Sequence, residues 1–401
     1  MERRGEALPD VRHEDLQHFL SDSPWSAQTV WRWVGPQAQP LLGGQPDTML
    51  LVDESAFAKK GDQSVGVARQ YNGRLGKTDH CQVGVFSALA HGPRAALVGA
   101  RLYLPEAWVA DPARCHAAGV PAAEILARTK IDLARDLVSE ARAHGLDFAW
   151  VGVDAGYGRD QSFLVWLAAQ GHGVVADVPA DLRVWEQEPT EATRPARLGA
   201  SGAARVDALG ARWRAVSAGT WVRLRTGENG VVRARVWARQ VWWWAEGEAC
   251  PRRWWLILRE EPDGSCKYTL CNAPAQTTRE RLARLQGQRH CIERAFADAK
   301  SPAGMGQYQA RKWLGWQHHM ALVELAMLFV LQERQVTGET VPLLSARDVV
   351  EMLDWWFGAT RTRTDVEAAI RARHARRTRQ AAAAQRRTKR PPKPIIQKIP
   401  K

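Results

Sequence analysis

Three short passages hold side chains whose types and spacing could do chemistry: TMLLVDESAFAKKG, FAWVGVDAGYG and RHCIERAFADAK. The first two each run an apolar, strand-like segment into one carboxylate, Asp53 and Asp154. In the third, Arg289, Glu293 and Lys300 sit at helical spacings that share one face, and Ile292, Phe296 and Ala299 form an adjacent apolar face. Two aspartates and a distant helical glutamate make a minimal cage for hard divalent cations. Mg²⁺ takes oxygen ligands and keeps waters and substrate phosphates in its shell, so few carboxylates suffice. Two such ions about 3.5–4 Å apart can clamp both the attacking and the leaving oxygen of a phosphodiester. Carboxylates placed side by side repel each other, and a cation removes that penalty.

Each feature also has an ordinary explanation. A lone Asp after a strand is usually a turn or cap residue. Arg289 and Glu293 could be a surface ion pair worth about 0.2–0.5 kcal/mol. Lys59 and Lys60 follow Asp53 and could contact a nucleic-acid backbone or line a solvated loop. His290, His318 and His319 read as packing or phosphate contacts, because Mg²⁺ prefers oxygen to imidazole. Core packing is the expectation for the Trp-rich stretch that includes Trp213, Trp221, Trp237, Trp242, Trp243, Trp244, Trp254 and Trp255, although one ring could stack on a base.

The elements that must position these groups can be read from periodicity and turn residues. Residues 1–47 read as a short helical N-terminal region. From 48, strand-like pieces (TMLLVD, SVGVARQY, CQVGVFSALA, AALVGARLYL) alternate with turns. A helix is expected over 121–145, then a buried strand at 148–154, a helix at QSFLVWLAAQG and a fifth strand at GVVADVP. This order implies a mixed-sheet α/β unit over 48–182, with Asp53 and Asp154 at the carboxyl ends of two strands, where open α/β sheets form their crevice. Residues 183–275 read as a β-rich insertion. Residues 276–358 read as a helical part that carries Glu293.

The chain has 401 residues and a net charge of +13. Residues 359–401 hold fourteen Lys and Arg against Asp365 and Glu367, so nearly all the net charge lies in this segment. It reads as a basic, disordered tail suited to polyanions, with salt-sensitive affinity. The six cysteines show no C-x-x-C pair, so neither a zinc site nor a disulfide framework is indicated. MALVELAMLFVL is too short for a membrane span and is interrupted by Glu324. MERRGEALPD has no apolar core of a signal peptide. The expected setting is cytoplasmic and nucleoid-associated, away from membranes.

LQHFLSDSPW, VDESAFAKKG, VGVARQY, HCQVGVF, RLYLPEAW, VDAGYG, RHCIERAFADAK and RKWLGWQHHM, taken in order, resemble insertion-sequence transposases of the DDE (Asp-Asp-Glu) class. The likeness covers most of residues 12–335, and it implies that residues 1–47 are a shortened form of the family's helical DNA-binding region. It implies an RNase H-like catalytic domain in which Asp53, Asp154 and Glu293 are catalytic metal ligands. It also implies two Mg²⁺ ions, for which Mn²⁺ can substitute. One transposase group carries a tyrosine–arginine–glutamate–lysine signature on the glutamate helix. Arg289, Glu293 and Lys300 fit its spacing, while Gln286 stands at the tyrosine position. Arg289, Lys300, Lys59, Lys60 and Arg294 are then the expected DNA contacts.

The resemblance implies metal-dependent hydrolysis at element ends, then strand transfer into target DNA. The partners would be double-stranded DNA and, on DNA, a second copy of the chain. Two rival readings are a transposase-derived DNA-binding protein without catalysis and an RNase H-like structure-specific nuclease.

Overall fold

The computed structural model describes residues 13–73, 76–190, 202–227, 230–261, 263–338 and 345–358, with isolated positions beyond. The basic segment assigned from sequence at 359–401 lies almost wholly outside these residues, as do the first twelve positions.

Helices α1 (His13–Ser21) and α2 (Ala27–Leu42) precede strands β1 (Met49–Ala58), β2 (Ala68–Asn72), β3 (Lys77–His91) and β4 (Arg94–Leu102). Short helices α3 (Glu106–Val109) and α4 (Pro112–Ala117) lead into α5 (Lys130–Ala143), and β5 (Trp150–Val153) follows. Next come α6 (Ala155–Gly158), α7 (Gln161–Ala169), β6 (Gly173–Val178), β7 (Arg183–Val184), β8 (Ala204–Arg205) and α8 (Val206–Val216). Strands β9 (Thr220–Gly227), β10 (Gly230–Trp243), β11 (Arg252–Glu260) and β12 (Cys266–Cys271) complete the β structure. The chain continues through α9 (Arg279–Gln288), α10 (His290–Lys300), α11 (Trp313–Gly338) and α12 (Ala346–Gly358).

Among the described residues, ten strands form one mixed sheet. At its heart β4, β3, β1, β5 and β6 lie in that spatial order. β3 runs antiparallel to both β4 and β1, whereas β1, β5 and β6 run parallel. This is the mixed RNase H-like arrangement expected from sequence. β3 is buried without interruption from Cys81 to Ala90, as a central strand covered on both faces should be. Along β1, Met49, Leu51 and Phe57 enter the core on one face, while Leu50 and Val52 enter the core on the other. The first face is covered by α9, α10 and the start of α11; α5, α7 and α8 cover the second.

The region 183–275, read from sequence as an insertion, continues this same sheet. β12 pairs antiparallel with β6, and β11, β10 and β9 extend outward from it. Of its nine tryptophans, Trp185, Trp213, Trp237, Trp243, Trp244 and Trp254 are buried, as expected of core packing, while Trp221 is 63% exposed.

Two helix expectations shift. Over 121–145, only a 3₁₀ turn (Ala122–Glu124) precedes α5, because Thr129 and Asp132 form a capping box that sets the start of α5 at Lys130. The helical stretch at 277–300 divides into α9 and α10, which meet at Arg289. Within α11, Trp313–Val336 is long and apolar enough to cross a membrane by length and composition, but 61% of its most apolar window is buried inside the protein, as in a core helix.

Candidate active site

Strand register brings the two aspartates together. Val52 of β1 pairs with Val153 of β5, so the next residues, Asp53 and Asp154, are neighbours across parallel strands. Asp53 is not at a strand end as expected. β1 runs on to Ala58 because it keeps its antiparallel partner β3, while β5 stops at Val153. Asp53 therefore has a rigid mid-strand backbone, and its position along β1 places it on the face covered by α10.

Asp154 caps α6, its Oδ1 accepting from the amides of Gly156 (2.9 Å) and Tyr157 (3.2 Å). The ordinary cap role thus holds, but it uses only Oδ1. The Oδ1 of Asp53 is likewise engaged, by the Glu54 amide at 2.7 Å. Oδ2 of each aspartate stays outside these bonds. Burial, reinforced by the Asp154 charge, pushes the Asp53 carboxyl up to about 7, although Arg289 and the Glu54 amide pull the other way. The buried Tyr157 hydroxyl has no hydrogen-bond partner among the described residues, and its pKa is raised by burial and by the nearby Glu54, Asp53 and Asp154.

Glu293 stands on the first turn of α10, over the same face of the sheet. Arg289 Nη2 donates to its Oε1 at 2.6 Å, and His290 Nδ1 lies 3.1 Å from its Oε2. The His290 hydrogen bond and the Arg289 charge hold its carboxyl down at about 2. Arg289 is largely buried and is the hub of the site. Its Nη1 lies 3.7 Å from Asp53 Oδ2, and its Nε lies 2.8 Å from Asp177 Oδ2.

Asp177 is a residue that sequence reasoning missed. It sits in β6, in GVVADV, and it alone breaks that apolar run. A single polar residue in a short strand has no partner visible in sequence. The partner is Thr269, directly opposite on β12, whose hydroxyl donates to Asp177 Oδ1 at 2.5 Å. Gln286 Nε2 in turn donates to that hydroxyl at 2.7 Å.

The expected DNA contacts fall in different places. Arg289 points inward, onto carboxylates. Lys59 is tied down: its ammonium donates to the Tyr308 carbonyl at 2.9 Å and lies 4.0 Å from that ring's centroid. Lys60 is exposed and Arg294 half-buried. Lys300, also half-buried, lies within 6 Å of the Phe57 and Phe296 rings, further along β1 from Asp53.

The donor set suits a hard divalent cation, because Asp53, Asp154 and Glu293 offer only carboxylate oxygens and Arg289 and the Glu54 amide only partly offset the Asp53–Asp154 repulsion. Among the described residues, however, no three His, Cys, Asp or Glu side chains already surround one ion position. Arg289 and His290 engage both oxygens of Glu293.

A family model for the DDE superfamily endonucleases matches residues 1–242, more than half of the chain and both aspartates. The chain belongs to the DDE superfamily endonucleases. It is also similar to a protein of Microchaete diplosiphon described as a probable transposase for insertion sequence element IS701. The two are 30% identical over 145 residues, which is 36% of this chain and 35% of that relative. The chain thus matches about a third of the relative's length.

Proposed function

We propose that this DDE-superfamily chain is the transposase of an insertion sequence, cutting phosphodiesters at the element ends and joining them to target DNA. The observation that carries the reading is the register of β1 against β5, which sets Asp53 beside Asp154 beneath the helix that bears Glu293. Membership of an endonuclease family and similarity to a transposase support it.

In this reading Asp53, Asp154 and Glu293 hold two Mg²⁺ or Mn²⁺ ions. The ions, when bound, supply an activated water and stabilise the leaving oxygen. The chain's own task is placement. β1 and β5 fix the two aspartates on adjacent strands, α6 holds the Asp154 carboxylate by its Oδ1, and α10 lowers Glu293 over them. Lys60, Lys300 and Arg294 are the candidate phosphate contacts. Lys59 and Arg289, turned toward protein groups, act as supports. Two copies would pair the two element ends in the cell's nucleoid compartment.

The test is a nicking and joining assay on DNA that carries the element's own ends. Nicking that requires Mg²⁺ or Mn²⁺ and disappears in Asp154→Ala is the expected result. Binding without nicking would point to a non-catalytic relic. Nicking without joining of precut ends would point to a nuclease.

A further inference from the structure

The chain Gln286–Thr269–Asp177–Arg289 has no place among the expected metal ligands, yet it ends on two of them. Its links are short: 2.7 Å from Gln286 to Thr269, 2.5 Å from Thr269 to Asp177, and 2.8 Å from Arg289 to Asp177. Its members come from three elements, β6, β12 and α9, and from the joint between α9 and α10. Gln286 is buried, and the Asp177 and Arg289 side chains are each 13% exposed.

The arrangement poses a physical question. Arg289 carries one positive charge and lies near three carboxylates: Asp177 through Nε, Glu293 through Nη2 and, more distantly, Asp53 through Nη1. A guanidinium presents five donors in a fixed fork, so it can engage several carboxylates without leaving its place. The same charge that quiets the Asp53–Asp154–Glu293 group also competes with any cation that group binds. Asp177 is the carboxylate of this set that is not in the expected cage. It is held by Thr269 and Gln286, and it pulls the guanidinium toward β6.

We propose that Asp177 is a positioning residue: it anchors Arg289 to β6, so that the guanidinium can release Glu293 and Asp53 to metal ions without leaving the site. The proposal rests on the metal-binding reading of Asp53, Asp154 and Glu293. Without Asp177, the Arg289 charge has only the expected metal ligands left to pair with, and it closes on them. Gln286 and Thr269 serve as the outer brace that keeps Asp177 in its rotamer. This gives Gln286 an inward structural role at the position where the related signature has a tyrosine.

The test is a double-mutant cycle in Mn²⁺ affinity, measured by titration calorimetry on the full chain without DNA. The four proteins are the parent, Asp177→Asn, Arg289→Ala and the double variant. Asp177→Asn keeps the side-chain shape and removes the anchoring charge. The expected result is Mn²⁺ binding weakened about tenfold in Asp177→Asn, the size at which contacting charged groups couple, and little further loss when the same change is made in Arg289→Ala. A simple loss of nearby negative charge would weaken binding equally in both backgrounds, and that outcome overturns the proposal, as does unchanged affinity in Asp177→Asn. Thr269→Val, which removes the brace but no charge, should shift affinity in the same direction by a smaller factor; a parent-like value would overturn the brace. Failure of the underlying reading looks different: the parent itself would show no Mn²⁺ binding that Asp154→Ala abolishes.

Discussion

A Cβ built on Gly158 would stand 1.9 Å from the carbonyl oxygen of Asp177. The last residue of the VDAGYG motif is therefore glycine because α6, which Asp154 caps, is pressed onto the β6 backbone at the residue that anchors Arg289. Gly158→Ala should push α6 off β6 and move both Asp154 and Asp177. Backbone atoms cannot yield as a flexible side chain can, so a loss of about 1–3 kcal/mol in unfolding free energy is expected. Urea denaturation should show it, together with a larger loss of nicking than the stability change explains. Parent-like values for both would mean that the contact is easily relieved.

The three carboxylates should act as a unit. Asp53→Ala, Asp154→Ala and Glu293→Ala should each lower cleavage and strand transfer by at least about 10²–10³-fold, as expected when a group that stabilises the transition state is removed. DNA affinity should remain largely intact, since it rests on phosphate contacts elsewhere. Cleavage at the parent rate by any one variant, with DNA and Mg²⁺ saturating, would remove that residue from the site.

Much of this site can be read from the sequence, and the limit falls at long-range pairing. Asp53 and Asp154 each follow an apolar run and Glu293 lies on an amphipathic helix, but it is the ordered resemblance to DDE transposases, not periodicity alone, that marks the three as candidates. Periodicity does not say which strand lies beside which. Asp177 and Thr269 are polar residues in short apolar strands, and only the β6–β12 pairing makes them partners. The resemblance makes Arg289 a phosphate contact, but the joint between α9 and α10 turns it inward. The continuation of the sheet through β12 to β9 was hidden for the same reason.

His172 makes stability depend on pH. Burial, aided by the Arg142 charge, lowers its pKa to about 4, and its Nδ1 lies 3.3 Å from Arg142 Nη2. The unfolded chain takes up this proton near pH 6.5, before the folded protein does. The stability due to neutral His172 is therefore complete above about pH 6.5 and is lost as pH falls toward 4. After allowance for solvent screening at Arg142, the loss should be on the order of 1–2 kcal/mol. Urea midpoints of the parent and His172→Gln, taken from pH 7 to pH 4, should converge on acidification. Parallel curves would show that His172 does not titrate in this way.

Glu324 is fully buried in α11, and among the described residues neither carboxylate oxygen has a hydrogen-bond partner. Burial raises its pKa well above the usual carboxylate range. Glu324→Met fills similar space without a polar group to desolvate, so it should stabilise the protein by about 1–3 kcal/mol. A lower thermal midpoint in the variant would show that the carboxyl has a favourable partner after all.

Residues 359–401 carry most of the net charge. Deleting 371–401 should weaken binding to random-sequence duplex about tenfold or more near 0.1 M salt and should flatten the salt slope. Fluorescence anisotropy at several salt concentrations measures both. Superimposed binding curves would assign the segment to solubility instead.

The placement of β12 between β6 and β11 bears on how the protein is made. β6 ends at Val178, but the strand that covers its free edge begins only at Cys266. On the ribosome, the β4–β3–β1–β5–β6 part of the sheet can pair long before that edge is capped. An uncapped, apolar parallel edge is a template for pairing with another nascent chain. The helix that carries Glu293 is made later still. Synthesis therefore passes through an interval in which both aspartates can be in place, the β6 edge is open to intermolecular pairing, and the helix that bears Glu293 has yet to be made.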